Sequence, residues 1–160
     1  MNGDVKSRNV AIDIGKGETV SGILSLIEGY GNGGRTGIII AHGAGNDMNN
    51  PFITFLALGL AKAGYVALRF NFPYREKGRK APDSQGRLVH AWQCARRYLT
   101  EDSGIAIDAV IAAGKSMGGR VASQMVAEGS LPAGRLVFLG YPLHPPGKRE
   151  QLRDAHLYEI

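Results

Sequence analysis

Cysteine is nearly absent from this sequence, and long apolar runs are missing altogether. Cys94 is the single cysteine among 160 residues, which excludes a disulfide within the chain and a metal cluster held by cysteines. The N-terminal stretch, MNGDVKSRNVAIDI, contains no apolar core of signal-peptide length. No later run approaches the roughly 18 apolar residues of a membrane-spanning helix. We therefore expect a soluble, unsecreted, cytoplasmic protein that has no metal or cofactor and does not bind membranes.

Internal repeats, linkers and low-complexity tracts are missing as well. A composition of 44% hydrophobic and 21% charged residues is typical of a globular protein, and 160 residues suffice for a sizeable core. The 23 glycines fall at the ends of apolar runs, where turns are expected. We predict a single domain over residues 1–160.

The net charge of +5 does not indicate a nucleic-acid partner. Its densest part, residues 75–80, is one short segment with few aromatic residues. Nucleic-acid binding usually requires a continuous basic face. We interpret the segment as a solvated loop and predict no binding to nucleic acid.

Two hydrophobic periodicities alternate along the chain. Strand-like alternation over residues 8–14 and 18–26 predicts a β-hairpin. After a polar, glycine-rich turn at residues 29–37, the apolar run 37–41 is typical of a strand buried on both faces of a parallel sheet. Further predicted elements are strands over residues 65–72, 105–113 and 136–141, a long loop over residues 73–86 and a short helix within residues 150–160.

Three amphipathic helices are predicted between these strands. The first has Asn50 as its N-cap, Pro51 at its first position and Gly64 just after its end. Its predicted buried face, at helical spacing, consists of Phe52, Phe55, Leu56, Gly59, Leu60 and Ala63. The second, over residues 87–99, has the apolar stripe Leu88, Ala91, Trp92, Ala95, Tyr98 and Leu99, and the third covers residues 116–128. The order β-β-β-α-β-α-β-α-β predicts an α/β fold, with ligands at the carboxyl ends of the strands.

Residues 113–120, AGKSMGGR, lie at such a strand end and fit two motifs. A P-loop also ends in Gly-Lys-Ser, but it needs a glycine where Ala109 stands and a loop where the apolar strand end lies. A nucleophile elbow needs small residues two positions before and two positions after its serine. Gly114 and Gly118 meet that requirement, so we interpret the stretch as an elbow with Ser116 as the nucleophile.

An acyl-transfer site also needs donors for the negative charge that develops on the substrate oxygen. The amide of Met117, at the start of the third helix, is one predicted oxyanion donor. The other is the amide of Ala44, in the stretch HGAG at residues 42–45, which follows the third strand. The backbone of that loop is the predicted functional part, and we interpret His42 as packed beneath it.

These stretches together resemble α/β-hydrolases related to dienelactone hydrolases, in particular a small bacterial branch whose eukaryotic relatives include hydrolase-like subunits of a chromatin-modifying complex. The resemblance covers residues 20–160 and rests on HGAG at 42–45, ALRFNFPY at 67–74, GRKAPD at 78–83, GKSMGGR at 114–120 and GYPLHPPG at 140–147. It implies a three-layer αβα sandwich with a mostly parallel sheet, a small-molecule ester or related carbonyl substrate, and Ser116 as the nucleophile. Candidate substrate-binding residues are His42, Gly43, Asn71, Tyr74 and His144.

The resemblance also implies an acid after a seventh strand and a histidine after an eighth, whereas we expect this sequence to end after about six strands. His144 and His156 are the histidines that follow Ser116. We interpret His144 as a structural or pocket-edge residue. Asp154 and His156, two residues apart, lie on different sides of a helix and form no ready pair.

Three interpretations of this gap stay open: a fragment of a longer hydrolase, a minimal relative that binds without catalysing, or a chain that takes the missing elements from a partner. We favour the first. The sixth strand would then be an open edge, through which we expect homo-oligomers. The alternative function is a non-catalytic binding or interaction module with a pocket lined by Asn71, Tyr74 and Arg75.

Overall fold

A six-stranded sheet forms the centre of the protein, in a computed structural model that describes residues 3–29 and 34–160. Its strands are β1 (Val5–Gly15), β2 (Glu18–Ile27), β3 (Arg35–Ala41), β4 (Val66–Phe70), β5 (Ile107–Lys115) and β6 (Arg135–Leu139). The strand order is β1-β2-β4-β3-β5-β6, and β1 and β6 are its edges. Pairing is antiparallel for β1 with β2 and for β2 with β4, and parallel from β4 to β6. The predicted hairpin and parallel strands are confirmed, while the predicted turn at 29–37 lies partly outside the described residues.

Helices cover both faces of the sheet, as predicted for an α/β fold. They are α1 (Pro51–Lys62), α2 (Pro73–Glu76), α3 (Gln85–Arg97) and α4 (Met117–Ala127), with a π-helical segment over Tyr98–Asp102 directly after α3 and a 3-10 helix over Ala155–Glu159. In β3, Ile38 and Ile40 pack with α1, whereas Ile39 and Ala41 belong to the core that includes α3 and α4. Because side chains alternate along a strand, β3 is buried on both faces. The three-layer αβα sandwich is therefore confirmed.

The predicted ends of α1 are correct, but its predicted buried face is correct only in part. Asn50 caps the helix by accepting a hydrogen bond from the amide of Phe52, and Gly64 follows at a φ of 96°. The fully buried residues are Ile53, Ala57 and Ala61, and the predicted Leu56 and Leu60 pack partly buried against the same core. Phe52 and Phe55 are instead 49% and 78% exposed. This helix is apolar nearly all round, so periodicity alone could not choose between its faces, and the face with two alanines packs closest to the sheet.

Two further differences concern the segments that flank β4 and β6. The predicted loop 73–86 contains the one-turn helix α2, which Pro73 starts with its fixed φ. The final predicted helix is a single 3-10 segment that begins after Asp154. Four of the six predicted stripe residues, Leu88, Ala91, Trp92 and Ala95, are buried in α3 together with Cys94, and a fifth, Leu99, is buried in the π-helical segment that follows.

Candidate functional site

Ser116 occupies a sharp turn between β5 and α4. Its φ of 51° and ψ of −112° lie in a region that residues with a side chain rarely adopt, and such a conformation costs about 1–3 kcal/mol. The amide of Ser116 donates a 2.9 Å hydrogen bond to the carbonyl of Gly140, just after β6. The turn is thus fixed from the neighbouring strand, and the partly exposed Ser116 stands at the carboxyl end of the sheet.

The glycines around Ser116 are required by close backbone contacts. A Cβ atom on Gly114 would overlap the backbone of Gly118 and Gly119. One on Gly118 would lie 2.7 Å from the carbonyl oxygens of Ala41 and His42, closer than such contacts are found in proteins. The predicted need for small residues two positions before and after Ser116 therefore has a direct steric cause at this turn.

The loop that follows β3 packs against the same turn. A Cβ atom on Gly43 would lie 3.2 Å from the carbonyl oxygen of Lys115 and 3.5 Å from the Cβ of Ser116. Ala44, the next residue, is exposed. The amides of Ala44 and Met117 donate no hydrogen bond to the described part of the chain. Both therefore remain able to donate to a group bound beside Ser116.

His42 supports this loop from beneath, as expected from the sequence. Its ring is fully buried, and its Nε2 accepts a 3.1 Å hydrogen bond from the amide of Phe72. The proton is therefore on Nδ1, which donates to the carbonyl of Gly43 at 2.8 Å. Both ring nitrogens of His42 are therefore hydrogen-bonded within the protein, and binding of substrate by His42 stays a prediction.

Burial lowers the pKa of His42 below its ordinary value, although the hydrogen bond to Gly43 and the charge of Asp47 oppose the shift. The unfolded chain then binds this proton more tightly, so the His42 contribution to stability is present above its unfolded pKa and is lost as the pH falls below about 6.5. We expect the difference in melting temperature between the wild type and His42→Asn to shrink between pH 8 and pH 5, as measured by circular dichroism. Parallel profiles for the two proteins would contradict this role.

The other candidate substrate-binding residues are committed to internal contacts or lie elsewhere. Tyr74 is fully buried, and its hydroxyl donates to the carbonyl of Gly43 at 3.4 Å, so its role in substrate binding stays a prediction. Asn71 accepts from the amide of Met48 at 2.8 Å and donates to Glu76 at 2.9 Å. Arg75, proposed for the alternative binding pocket, forms a 3.4 Å ion pair with Asp47. His144 is exposed and its Nδ1 lies 3.2 Å from the carbonyl of Pro145.

A second serine, Ser123 on α4, is hydrogen-bonded to a histidine. Its fully buried hydroxyl donates to the carbonyl of Arg120 at 2.8 Å, and His156 Nε2 lies 2.8 Å from it and 2.9 Å from the Tyr141 hydroxyl. Because the Ser123 hydroxyl donates its proton to the Arg120 carbonyl, the Nε2–H of His156 donates to the Ser123 oxygen. The cluster therefore holds the 3-10 helix on α4, and sequence spacing gave no indication of it. As expected, His156 pairs with neither Asp154 nor Ser116 among the described residues.

A cleft of about 390 Å³ opens beside Ser116. It is lined by Ala44, Pro82, Asp83, Gln85, Leu88, Ser116, Met117, Arg120, Pro142, Pro146 and Arg153. Ser116 and both predicted oxyanion donors thus share one cleft, whereas Asn71, Tyr74 and His144 are outside its lining. Asp83, Arg120 and Arg153 were not predicted as site residues, because they come from three segments that only the fold brings together.

Among residues 3–29 and 34–160, no group of three or more histidine, cysteine, aspartate or glutamate side chains is arranged to hold a metal ion. None of the helices in that part of the chain combines the length and the apolar character needed to cross a membrane.

Comparison with known proteins places this arrangement in a family. A family model described as an alpha/beta hydrolase domain matches residues 34–160. A dienelactone hydrolase from Anabaena variabilis has a similar structure, with a TM-score of 0.70 and 23% identity over 86% of this chain and 64% of that chain. A serine hydrolase homologue from Coxiella burnetii gives a TM-score of 0.68 and 21% identity over 91% of this chain and 69% of that chain.

A dienelactone hydrolase-like promiscuous phosphotriesterase from metagenomic libraries is similar as well, with a TM-score of 0.71 and 18% identity over 94% of this chain and 66% of that chain. At these identities the likeness concerns the fold. The present chain spans 64% of the length of the Anabaena protein. Since the family model covers most of the sequence, the chain belongs to the α/β-hydrolase family.

Proposed function

We propose that this protein is a serine hydrolase domain in which Ser116 attacks the carbonyl carbon of an ester or a related substrate. The observation that carries the proposal is the backbone of Ser116, held at a φ of 51° between β5 and α4 with its residue open to the cleft. Strain of this kind is retained where the surrounding structure enforces it, and it is common at functional sites. The position matches a nucleophile elbow on this fold.

Stabilisation of the reaction intermediate is the second part of the proposal. When the serine oxygen attacks, the carbonyl oxygen becomes negatively charged and needs donors already in place. The free amides of Ala44 and Met117 line the same cleft as Ser116. The N-terminus of α4 adds a favourable dipole at this point. Neighbours of the same fold named dienelactone hydrolase and esterase agree with a carbonyl substrate.

The proposal assigns no general base. In the described part of the chain the Ser116 hydroxyl has no hydrogen-bond partner, and His144 and His156 bond elsewhere. An unassisted serine is a weak nucleophile. We therefore expect slow reaction of this 160-residue chain with activated reagents and little turnover of ordinary esters.

Covalent labelling tests the nucleophile directly. We expect a fluorophosphonate to modify Ser116, with loss of fluoride, and the site to be identified by mass spectrometry of tryptic peptides. Ser116→Ala should abolish the modification, whereas Ser123→Ala, on the same helix, should retain it. Ser123 is a demanding control because it is the serine hydrogen-bonded to His156. Modification of Ser123 instead, or equal labelling of Ser116→Ala, would refute the assignment.

A non-catalytic binding module is the second candidate function. The observation that favours it is the same unpartnered hydroxyl, since binding needs a cleft but no activated serine. Absence of any fluorophosphonate adduct on a protein that still binds small ligands in the cleft would support this candidate over the first.

A further inference from the structure

Two arginines line the cleft beside Ser116 and have no role in the proposed attack. Arg120 lies in the first turns of α4, four residues after Ser116, and Arg153 comes from the segment that follows β6. In an α-helix four residues correspond to on the order of 6 Å along the axis. Arg120 is thus about one helical turn from the reacting position, on the same cleft.

Neither arginine is neutralised by a carboxylate. Across residues 3–29 and 34–160, no aspartate or glutamate lies within ion-pair distance of either guanidinium. Arg120 donates to Gln124 at 3.0 Å, a neutral acceptor. Burial, and then the charge of Arg153, lower the pKa of Arg120.

Asp83 is the carboxylate among the described residues that line the cleft, and it is already paired with other arginines. Asp83 is 2% exposed at its side chain, and its Oδ1 pairs with Arg79 at 2.5 Å and with Arg87 at 3.9 Å. Its Oδ2 accepts a 2.7 Å hydrogen bond from the amide of Tyr74. Asp83 is therefore compensated by groups outside the cleft, and the cleft retains the positive charge of both arginines.

Arg153 is held in position through its backbone. Its amide donates to the carbonyl of Leu143 at 2.6 Å, and its carbonyl accepts from the hydroxyl of Tyr141 at 3.3 Å. Tyr141 in turn contacts His156 and Ser123, which fix the segment on α4. The hydrogen bonds of Ser123, Tyr141 and His156 thus hold the segment that places Arg153 at the cleft.

We propose that Arg120 and Arg153 bind an anionic group, a carboxylate or a phosphate, on the ester that Ser116 attacks. Guanidinium groups suit both anions because they present donors in a planar fork. Because Arg120 lies about one helical turn from Ser116 on the same cleft, we expect the anion a few bonds from the reacting carbon, as in a half-ester of a short dicarboxylic acid. Leu88, Pro82 and Pro142 supply apolar surface for the intervening carbons. That the anion belongs to an ester substrate rests on the proposed function. Binding of an anion to the two arginines can be tested without catalysis.

Equilibrium binding by titration calorimetry provides the test. Glutarate and phenyl phosphate serve as probes for the two anions, and glutaramide as the uncharged match. We expect at least one of the two anions to bind, and glutaramide to bind at least tenfold more weakly. Added salt should weaken the binding of the anion. Arg120→Gln and Arg153→Gln should each weaken binding about tenfold or more. Arg120→Lys should recover part of the loss, and melting temperatures check that each variant folds.

The matched control is Arg149→Gln, which removes the same charge from an exposed residue of the same segment and should bind like the wild type. Ser116→Ala should also bind like the wild type. Binding of only one probe would identify the anion as carboxylate or phosphate. If neither anion binds, or if Arg149→Gln weakens binding as much as Arg153→Gln, the anion site is refuted. Anion binding without labelling of Ser116 would refute the nucleophile and leave the anion site standing.

Discussion

Replacement of Gly114 by alanine is expected to destabilise the protein by about 3 kcal/mol or more, at the upper end of the effects of overpacking. The added Cβ atom would overlap the backbone of Gly118 and Gly119, where no flexible side chain can yield. To remove this overlap, β5 and α4 would have to move apart, which would break the hydrogen bond from the Ser116 amide to the Gly140 carbonyl. Urea unfolding followed by circular dichroism measures the loss.

Gly59→Ala is the matched control for this substitution. Gly59 lies within α1, is exposed, and has open space around an added Cβ atom. Because alanine has the better helix propensity, we expect a gain of about 0.5–1 kcal/mol. Similar losses for the two variants would show that the crowding at Gly114 is not the cause. A near-neutral Gly114→Ala would contradict the close approach of β5 and α4 itself.

Truncation of Trp92 to alanine should remove about 3–5 kcal/mol of folding free energy, the usual cost of deleting a large buried ring. Trp92 is fully buried on α3, and its ring packs edge-to-face with Phe70 at 5.4 Å. Its Nε1 also donates to the carbonyl of Gly118 at 3.3 Å. The substitution therefore empties the core and frees a backbone carbonyl in the turn next to Ser116. Chemical unfolding monitored by far-ultraviolet circular dichroism gives the value.

Two further variants separate the causes of that loss. Trp92→Phe keeps most of the ring but removes the hydrogen bond to Gly118, and it should cost less than Trp92→Ala. Phe55→Ala removes an aromatic ring that is 78% exposed on α1, and we expect a change within about 0.5 kcal/mol. If Phe55→Ala proved as costly as Trp92→Ala, the assignment of the buried face of α1 would have to be reversed.

The sequence predicted element order better than it predicted which surfaces meet. Alternation and apolar runs located the strands, and Asn50 and Gly64 marked the ends of α1, because these signals are local. The buried face of α1 was predicted correctly only in part, because nearly every position of that helix is apolar. Only the sheet against which it packs distinguishes Ala57 from Phe55.

The candidate site shows the same division. Ser116, Gly114 and Gly118 could be identified because the elbow is a contiguous pattern, and Ala44 followed from its place after β3. Arg120 and Arg153 could not, because their meeting depends on how the segment after β6 folds back onto α4. Nor could Tyr74 be recognised as buried, since the segment that follows it is polar and largely exposed.

The place of β3 in the sheet affects the order in which the chain can fold. β3 lies between β4 and β5, both of which follow it in the sequence. During synthesis the hairpin of β1 and β2 can form early, but β3 has no neighbour until residues 66–70 emerge and only one until residues 107–115 emerge. Pairings so distant in sequence are slow to form, and unpaired apolar strands aggregate meanwhile. We therefore expect the turn at Ser116, which needs β3, β5 and Gly140 together, to be among the last parts of the molecule to acquire its final conformation.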